Sequence, residues 1–117
     1  MLKEYDRNNV FAKILRGEAK CSKVFESDDA LAIRDIFPKA PQHILVLPKG
    51  EHTCLTDFIE LSSDAQIAAY FRAVVKVAKD AGLGESGYRL VTNTGPDSCQ
   101  EVPHFHTHIL GGKKLDD

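Results

Sequence analysis

Residues 104–110 read His-Phe-His-Thr-His-Ile-Leu. An alternation of period two fits an extended backbone and no helix. On a strand, His104, His106 and His108 share one face at intervals of ~7 Å, while Phe105, Thr107 and Ile109 take the other. The expected element is therefore a strand over 104–110 with one face on a core and three imidazoles lining a cleft. A core role explains the triad poorly, because buried histidines are usually single and need specific partners.

The rest of the chain supplies partners for such a strand. Lys23-Val24-Phe25-Glu26 and Ala30-Leu31-Ala32-Ile33-Arg34 flank Ser27-Asp28-Asp29, whose short polar side chains suit a tight reversal, and the three segments read as a hairpin. Pro38 and Pro41 exclude regular pairing across 37–42, after which His43-Ile44-Leu45-Val46-Leu47 reads as a buried central strand ending at Pro48-Lys49-Gly50. Tyr88-Arg89-Leu90-Val91-Thr92 reads as a strand and 93–97 as a loop. Asn8 or Asn9 can cap a short helix carrying Val10, Phe11, Ile14 and Leu15 up to Gly17. Ser63-Asp64-Ala65-Gln66 has capping-box spacing, and Ile67, Tyr70, Phe71, Val74, Val77 and Ala78 follow at helical intervals to Gly82. Strands joined by reversals, with a segregated long helix, define an α+β fold: a five-stranded antiparallel sheet with one long and one short helix. At 117 residues the expectation is one domain spanning 1–117, with its motif-bearing core at about 10–112 and a polar tail at 113–117.

Composition narrows the partners. Fifteen Lys and Arg against 17 Asp and Glu give a charge of −2, so no global field draws in nucleic acid or an acidic membrane, and the expected partner is small. Residues 1–7 carry both signs of charge and lack the apolar stretch of a secretory signal. Cys21, Cys54 and Cys99 are widely spaced and form no Cys-x-x-Cys pair, which fits a reducing cytoplasm better than a disulfide framework. His52, after the Pro-Lys-Gly turn, reads as an ordinary loop residue.

Two chemistries suit the histidine face, and spacing does not choose between them. An His-x-His pair can hold zinc through neutral imidazoles, with His43 or His108 as third ligand and water in the open position. Alternatively one imidazole attacks phosphorus while its neighbours fix its tautomer and neutralise phosphate charge. Metal ligation would use the lone pair needed for attack. Asp35, ending a strand before a Pro-rich loop, suits either a sugar diol or a turn; Asn93 suits a phosphate or an αL turn; His43 suits catalysis or a satisfied core position.

The stretch His104-Phe105-His106-Thr107-His108-Ile109-Leu110 followed by Gly111-Gly112 resembles the His-φ-His-φ-His-φ-φ signature of the histidine triad (HIT) nucleotide-binding proteins, φ being apolar, with Thr107 the loose fit. Segments 10–18, 34–43, 45–49 and 87–93 are similar to those of the Hint branch in the same order. The resemblance implies a homodimer, with the sheet continuing across it, and a purine nucleoside monophosphate site. There His106 would attack the α-phosphorus of a nucleoside phosphoramidate or adenylate to give a nucleotidyl-histidine, with no metal or other cofactor. It further implies that His108 contacts the phosphate or leaving group, that His104 and His43 orient the imidazoles, and that Asp35 holds the ribose. Ile36 and Phe11 would border the base, and Asn93 would lie beside the phosphate.

Two departures from the branch stand out. Cys99-Gln100-Glu101 replaces the usual Gly-Gln-Ser or Gly-Gln-Thr, so that Glu101 puts a carboxylate where a hydroxyl would meet phosphate. The chain also ends at Asp117 without the Trp- and Pro-containing tail common in Hint relatives. Glu101 keeps in play a slow-turnover nucleotide-binding or protein-interaction module, and the ligating capacity of the histidine face keeps in play a metal-dependent phosphohydrolase.

Overall fold

A computed structural model describes residues 4–117; Met1–Lys3, part of the charged stretch considered above for targeting, lie outside the described residues. In chain order the elements are α1 (Val10–Leu15), β1 (Lys23–Glu26), β2 (Ala30–Arg34), β3 (Gln42–Pro48), α2 (Leu55–Leu61), α3 (Asp64–Asp80), β4 (Tyr88–Val91), a single 3-10 turn (Pro96–Ser98) and β5 (Thr107–Gly111). The strands form one antiparallel sheet in the order β1-β2-β3-β5-β4. The five strands and the long helix match the expected fold; α2 is a further short helix that the periodicity did not mark out.

Local sequence explains the helix limits. The Asn9 side chain accepts the Ala12 N–H at 2.8 Å, and Gly17, at φ +79°, leaves the helix through the left-handed conformation that glycine adopts without strain. At the start of α3, Ser63 Oγ accepts the Gln66 N–H while Gln66 Oε1 accepts the Ser63 N–H. This reciprocal box satisfies two of the orphan donors at the helix end, an arrangement in which the cap alone is worth ~1 kcal/mol.

The two faces of the sheet carry different side chains. Toward α3 lie Ala30 and Ala32 of β2 and Ile44 and Val46 of β3, packed with Phe105 and Ile109 against Tyr70, Val74, Val77 and Ala78. The small alanines let the helix approach closely. Tyr70 donates its hydroxyl to the Val46 carbonyl at 2.8 Å, which leaves its oxygen to accept from Thr107 Oγ1 at 2.7 Å. Thr107, the loose fit to the triad signature, thus puts a hydroxyl where a core tyrosine needs a partner. On the opposite face Leu31, Ile33, Leu45 and Leu47 form a second apolar cluster with Phe11. Leu45 pairs directly with His108, and His43 lies two residues along β3, so both imidazoles emerge from this second face.

The expected strand over 104–110 is shorter: only Thr107–Gly111 pairs. Pro48 ends β3 and has no N–H to offer a longer ladder. The Phe105 N–H goes instead to the His52 carbonyl at 2.7 Å, and the His104 N–H to the Val102 carbonyl at 2.8 Å. Alternation survives without pairing, since Phe105 enters the α3 core while His104 and His106 contact Phe11 on the other side.

Among the described residues no helix is long and apolar enough to cross a membrane.

Candidate active site

Each triad histidine has a partner whose hydrogen-bonding role is fixed, and those partners assign the ring tautomers. His104 is fully buried and lies between the Pro48 carbonyl, 3.0 Å from Nε2, and the Tyr5 hydroxyl, 2.6 Å from Nδ1. A carbonyl only accepts, so Nε2 carries the proton and Nδ1 accepts from Tyr5. His106 places Nδ1 2.7 Å from the His104 carbonyl, so this nitrogen is the donor and the lone pair resides on Nε2. The orientation expected from the His104 ring therefore comes from its backbone carbonyl. Thr92, just beyond β4, donates its hydroxyl to the His106 carbonyl at 2.8 Å, and Phe11 presents an edge to the His106 ring with centroids 4.9 Å apart.

A second chain of bonds runs through His43 and His108. The Lys39 N–H points at His43 Nδ1 at 3.1 Å, which makes that nitrogen an acceptor and puts the His43 proton on Nε2. Nε2 lies 2.9 Å from His108 Nδ1, so His108 accepts there and carries its own proton on Nε2. The His106 and His108 rings meet edge to face, with centroids 5.1 Å apart. Among the described residues, these assignments leave one nitrogen lone pair on His106 and one N–H on His108 without a protein partner.

Burial keeps these rings neutral. Desolvation lowers His106, and holds both His104 and His108 down to about 4, with neighbouring imidazoles adding to the shift of His108. His43 is lowered chiefly by burial, against an opposing pull from the Asp35 carboxylate.

Asp35 holds its turn with one oxygen and reaches His43 with the other. Its Oδ1 accepts the Phe37 N–H at 2.8 Å, while Oδ2 lies 3.3 Å from His43 Nε2. Ile36, next along the loop after Asp35, is an apolar side chain that is 81% exposed. Asn93 is half-buried and adjoins Thr92, which anchors His106. Glu101 is exposed. A separate surface depression lined by Pro41, Leu83, Gly87 and Lys113 contains none of these groups.

Ligand atoms of Asp35, His43 and His108 lie within 4.8 Å of one another, close enough for a metal by distance alone. The hydrogen bonds oppose it. A metal on His43 Nε2 would move the ring proton to Nδ1, where it would face the Lys39 N–H, donor against donor, whereas metal-bound histidines donate from the second nitrogen to an acceptor.

Sequence reasoning missed the groups that hold the histidines from behind. Tyr5 carried no motif, and the Lys39 N–H and the Pro48 and His104 carbonyls are backbone atoms with no side-chain signature. His52, read as an ordinary loop residue, is half-buried edge-on against Phe58 and supplies the carbonyl that anchors Phe105. Gln100 accepts the Gly95 N–H and donates to the Thr53 and Val102 carbonyls, tying the loop before the triad to the start of α2.

A HIT domain model matches residues 16–115. The chain belongs to the HIT family. An uncharacterized HIT-like protein of 13.2 kDa from Azospirillum brasilense is 54% identical over 115 residues, covering 98% of this chain and 94% of the relative. The purine nucleoside phosphoramidase of Escherichia coli K12 is 37% identical over 106 residues, 91% of this chain and 88% of that one. Among solved HIT structures, a HIT family hydrolase from Legionella pneumophila superposes with a TM-score of 0.83 at 39% identity, covering 93% of this chain and 96% of its own.

Proposed function

We propose that this HIT protein is a purine nucleotide hydrolase of the Hint type, a phosphoramidase acting at the α-phosphorus of nucleoside 5′-phosphoramidates or adenylates. The observation that carries the reading is the tautomer of His106. Its Nδ1–H is spent on the His104 carbonyl, which leaves Nε2 as a neutral nucleophile beside the unspent N–H of His108. The similarity to the E. coli phosphoramidase supports the same chemistry.

In this reading His106 Nε2 forms a bond to phosphorus as the bond from phosphorus to the leaving nitrogen breaks. The departing amine takes the proton on His108 Nε2. Charge left on His108 is shared with the N–H of His43 and offset by the cation that phosphorylation creates at His106. Water then attacks phosphorus, returns a proton to His108 and frees His106. Asp35 Oδ2 accepts from the ribose hydroxyls, Phe11 and Ile36 border the base, and Asn93 and Glu101 stand on the phosphate side. His104 and His43 act from behind, through the carbonyl and Nε2 described above. The active protein is a homodimer, and β4 is a sheet edge open to a second copy.

The test is steady-state hydrolysis of N-alkyl phosphoramidates of adenosine, guanosine, cytidine and uridine. Release of amine and nucleoside monophosphate, with kcat/KM higher for both purines, is the expected result. Binding of adenosine monophosphate with a single burst of product and slow release would favour the alternative of a nucleotide-binding module.

A further inference from the structure

His43 has one proton to give at Nε2, which is hydrogen-bonded to His108 Nδ1 at 2.9 Å, and the Asp35 carboxylate lies beside it with Oδ2 3.3 Å from the same nitrogen. The other possibilities are closed. The Lys39 N–H fills His43 Nδ1, so the proton cannot move to that side, and Asp35 Oδ1 is occupied by the Phe37 N–H. The side chains of His43 and Asp35 are 3% and 18% exposed, so water competes weakly for this contact.

We infer that Asp35 is a positioning residue whose Oδ2 competes with His108 for the single N–H of His43, so that a ribose diol bound at Asp35 releases that N–H to His108. Ribose recognition is thereby coupled to departure of the leaving group. This rests on the nucleotide reading above and adds to it a control over kcat. With Oδ2 free, the carboxylate pulls the shared proton off the line to His108 Nδ1 and weakens that bond without breaking it. With Oδ2 accepting from hydroxyls, the proton lies on the line to His108 Nδ1. It then stabilises the charge that His108 acquires as its Nε2 proton passes to the leaving nitrogen. No other proton donor or acceptor is added to the reaction: the same N–H of His43 is aimed at one acceptor instead of two.

Two leaving groups separate this role from simple binding. An N-alkyl amine must be protonated to depart, whereas 4-nitrophenolate leaves as the anion. Each is attached to the 5′-phosphorus of adenosine and of 2′,3′-dideoxyadenosine, and kcat is measured at saturating substrate with the wild-type protein. Removing the diol is expected to lower kcat for the amine substrate by about 10-fold or more while changing it less than about 2-fold for the nitrophenyl ester, because only the first reaction uses the His108 proton. In Asp35→Ala, and more weakly in Asp35→Asn, KM for the ribonucleotide rises and the dependence of kcat on the diol disappears. If the wild type turns over both amine substrates with equal kcat, the diol acting on KM alone, the coupling is overturned and the hydrolase reading stands. A loss of kcat of the same size with both leaving groups likewise overturns it, since that marks a general misplacement of substrate. No turnover of any of the four compounds would overturn the hydrolase reading and the coupling together.

Discussion

His43 Nε2 lies 2.9 Å from His108 Nδ1, and with the Lys39 N–H already on His43 Nδ1 the proton between the two rings belongs to His43. The order of donors therefore runs one way, from a backbone amide through two imidazoles to the N–H of His108. A one-way chain of this kind fixes both tautomers before substrate arrives.

The expected behaviour is activity independent of added or removed metal. A divalent ion at Asp35, His43 and His108 would have to evict the shared proton and leave two donors facing one another at Lys39. Prolonged dialysis against a chelator is expected to leave kcat/KM within about 2-fold of the untreated protein, no more than the loss of a bystander ion would cause. Activity that vanishes on chelation and returns with zinc would install the metal-dependent phosphohydrolase in its place.

Acid should destabilise the protein through His104. Its folded pKa is about 4 against an ordinary 6.5, so between those values the unfolded chain binds more protons and stability falls as pH falls. A shift of that size corresponds to a loss on the order of 3 kcal/mol once pH is below both values. His104→Gln keeps an N–H for the Pro48 carbonyl but cannot titrate. Urea midpoints measured from pH 7 to 4.5 should decline more steeply in the wild type than in this variant, and parallel declines would show that His104 is not the group responsible.

Much of this was legible in the sequence because it rests on side-chain periodicity. The alternation at 104–110 placed three imidazoles opposite Phe105, Thr107 and Ile109, and the Ser63 to Gln66 spacing located the start of α3 to the residue. The end of strand pairing was not legible, since it depends on where the N–H groups of His104 and Phe105 go, and their acceptors at Val102 and His52 are carbonyls common to every residue. α2 escaped because Cys54 provides no side-chain cap and the helix has only seven residues, too few for a periodic pattern. The tautomers depend on Lys39 and Pro48 backbone atoms, which folding brings to the histidines.

Glu101 is the clearest departure from the branch signature, and its exposure sets the size of its effect. A carboxylate in water is screened and free to rotate away from phosphate. Glu101→Ser should therefore change kcat/KM by less than about 3-fold between pH 5 and 8. A gain of ~10-fold would mean the carboxylate faces the reacting phosphate and opposes it, at a cost of ~1.4 kcal/mol.

The edge at β4 leads to a prediction of oligomeric state. Among the described residues Tyr88–Val91 pairs only with β5, and Leu90 is 44% exposed, which leaves a short edge open to a second copy. Sedimentation at micromolar concentration should report twice the 12.9 kDa chain mass. A monomer alone would remove the dimer from the proposal.

The central claim is that His106 Nε2 becomes bonded to phosphorus, and the most direct measurement is mass spectrometry of protein quenched milliseconds after mixing with an adenosine 5′-phosphoramidate. The expected result is an adenylyl adduct on a peptide containing His106. His106→Asn should show no adduct and a kcat lower by ~1,000-fold or more, while still binding adenosine monophosphate within about 3-fold of wild type, since the nucleophile is lost and the pocket is not. Rapid turnover with no adduct at any quench time, or wild-type kcat in His106→Asn, would contradict the account.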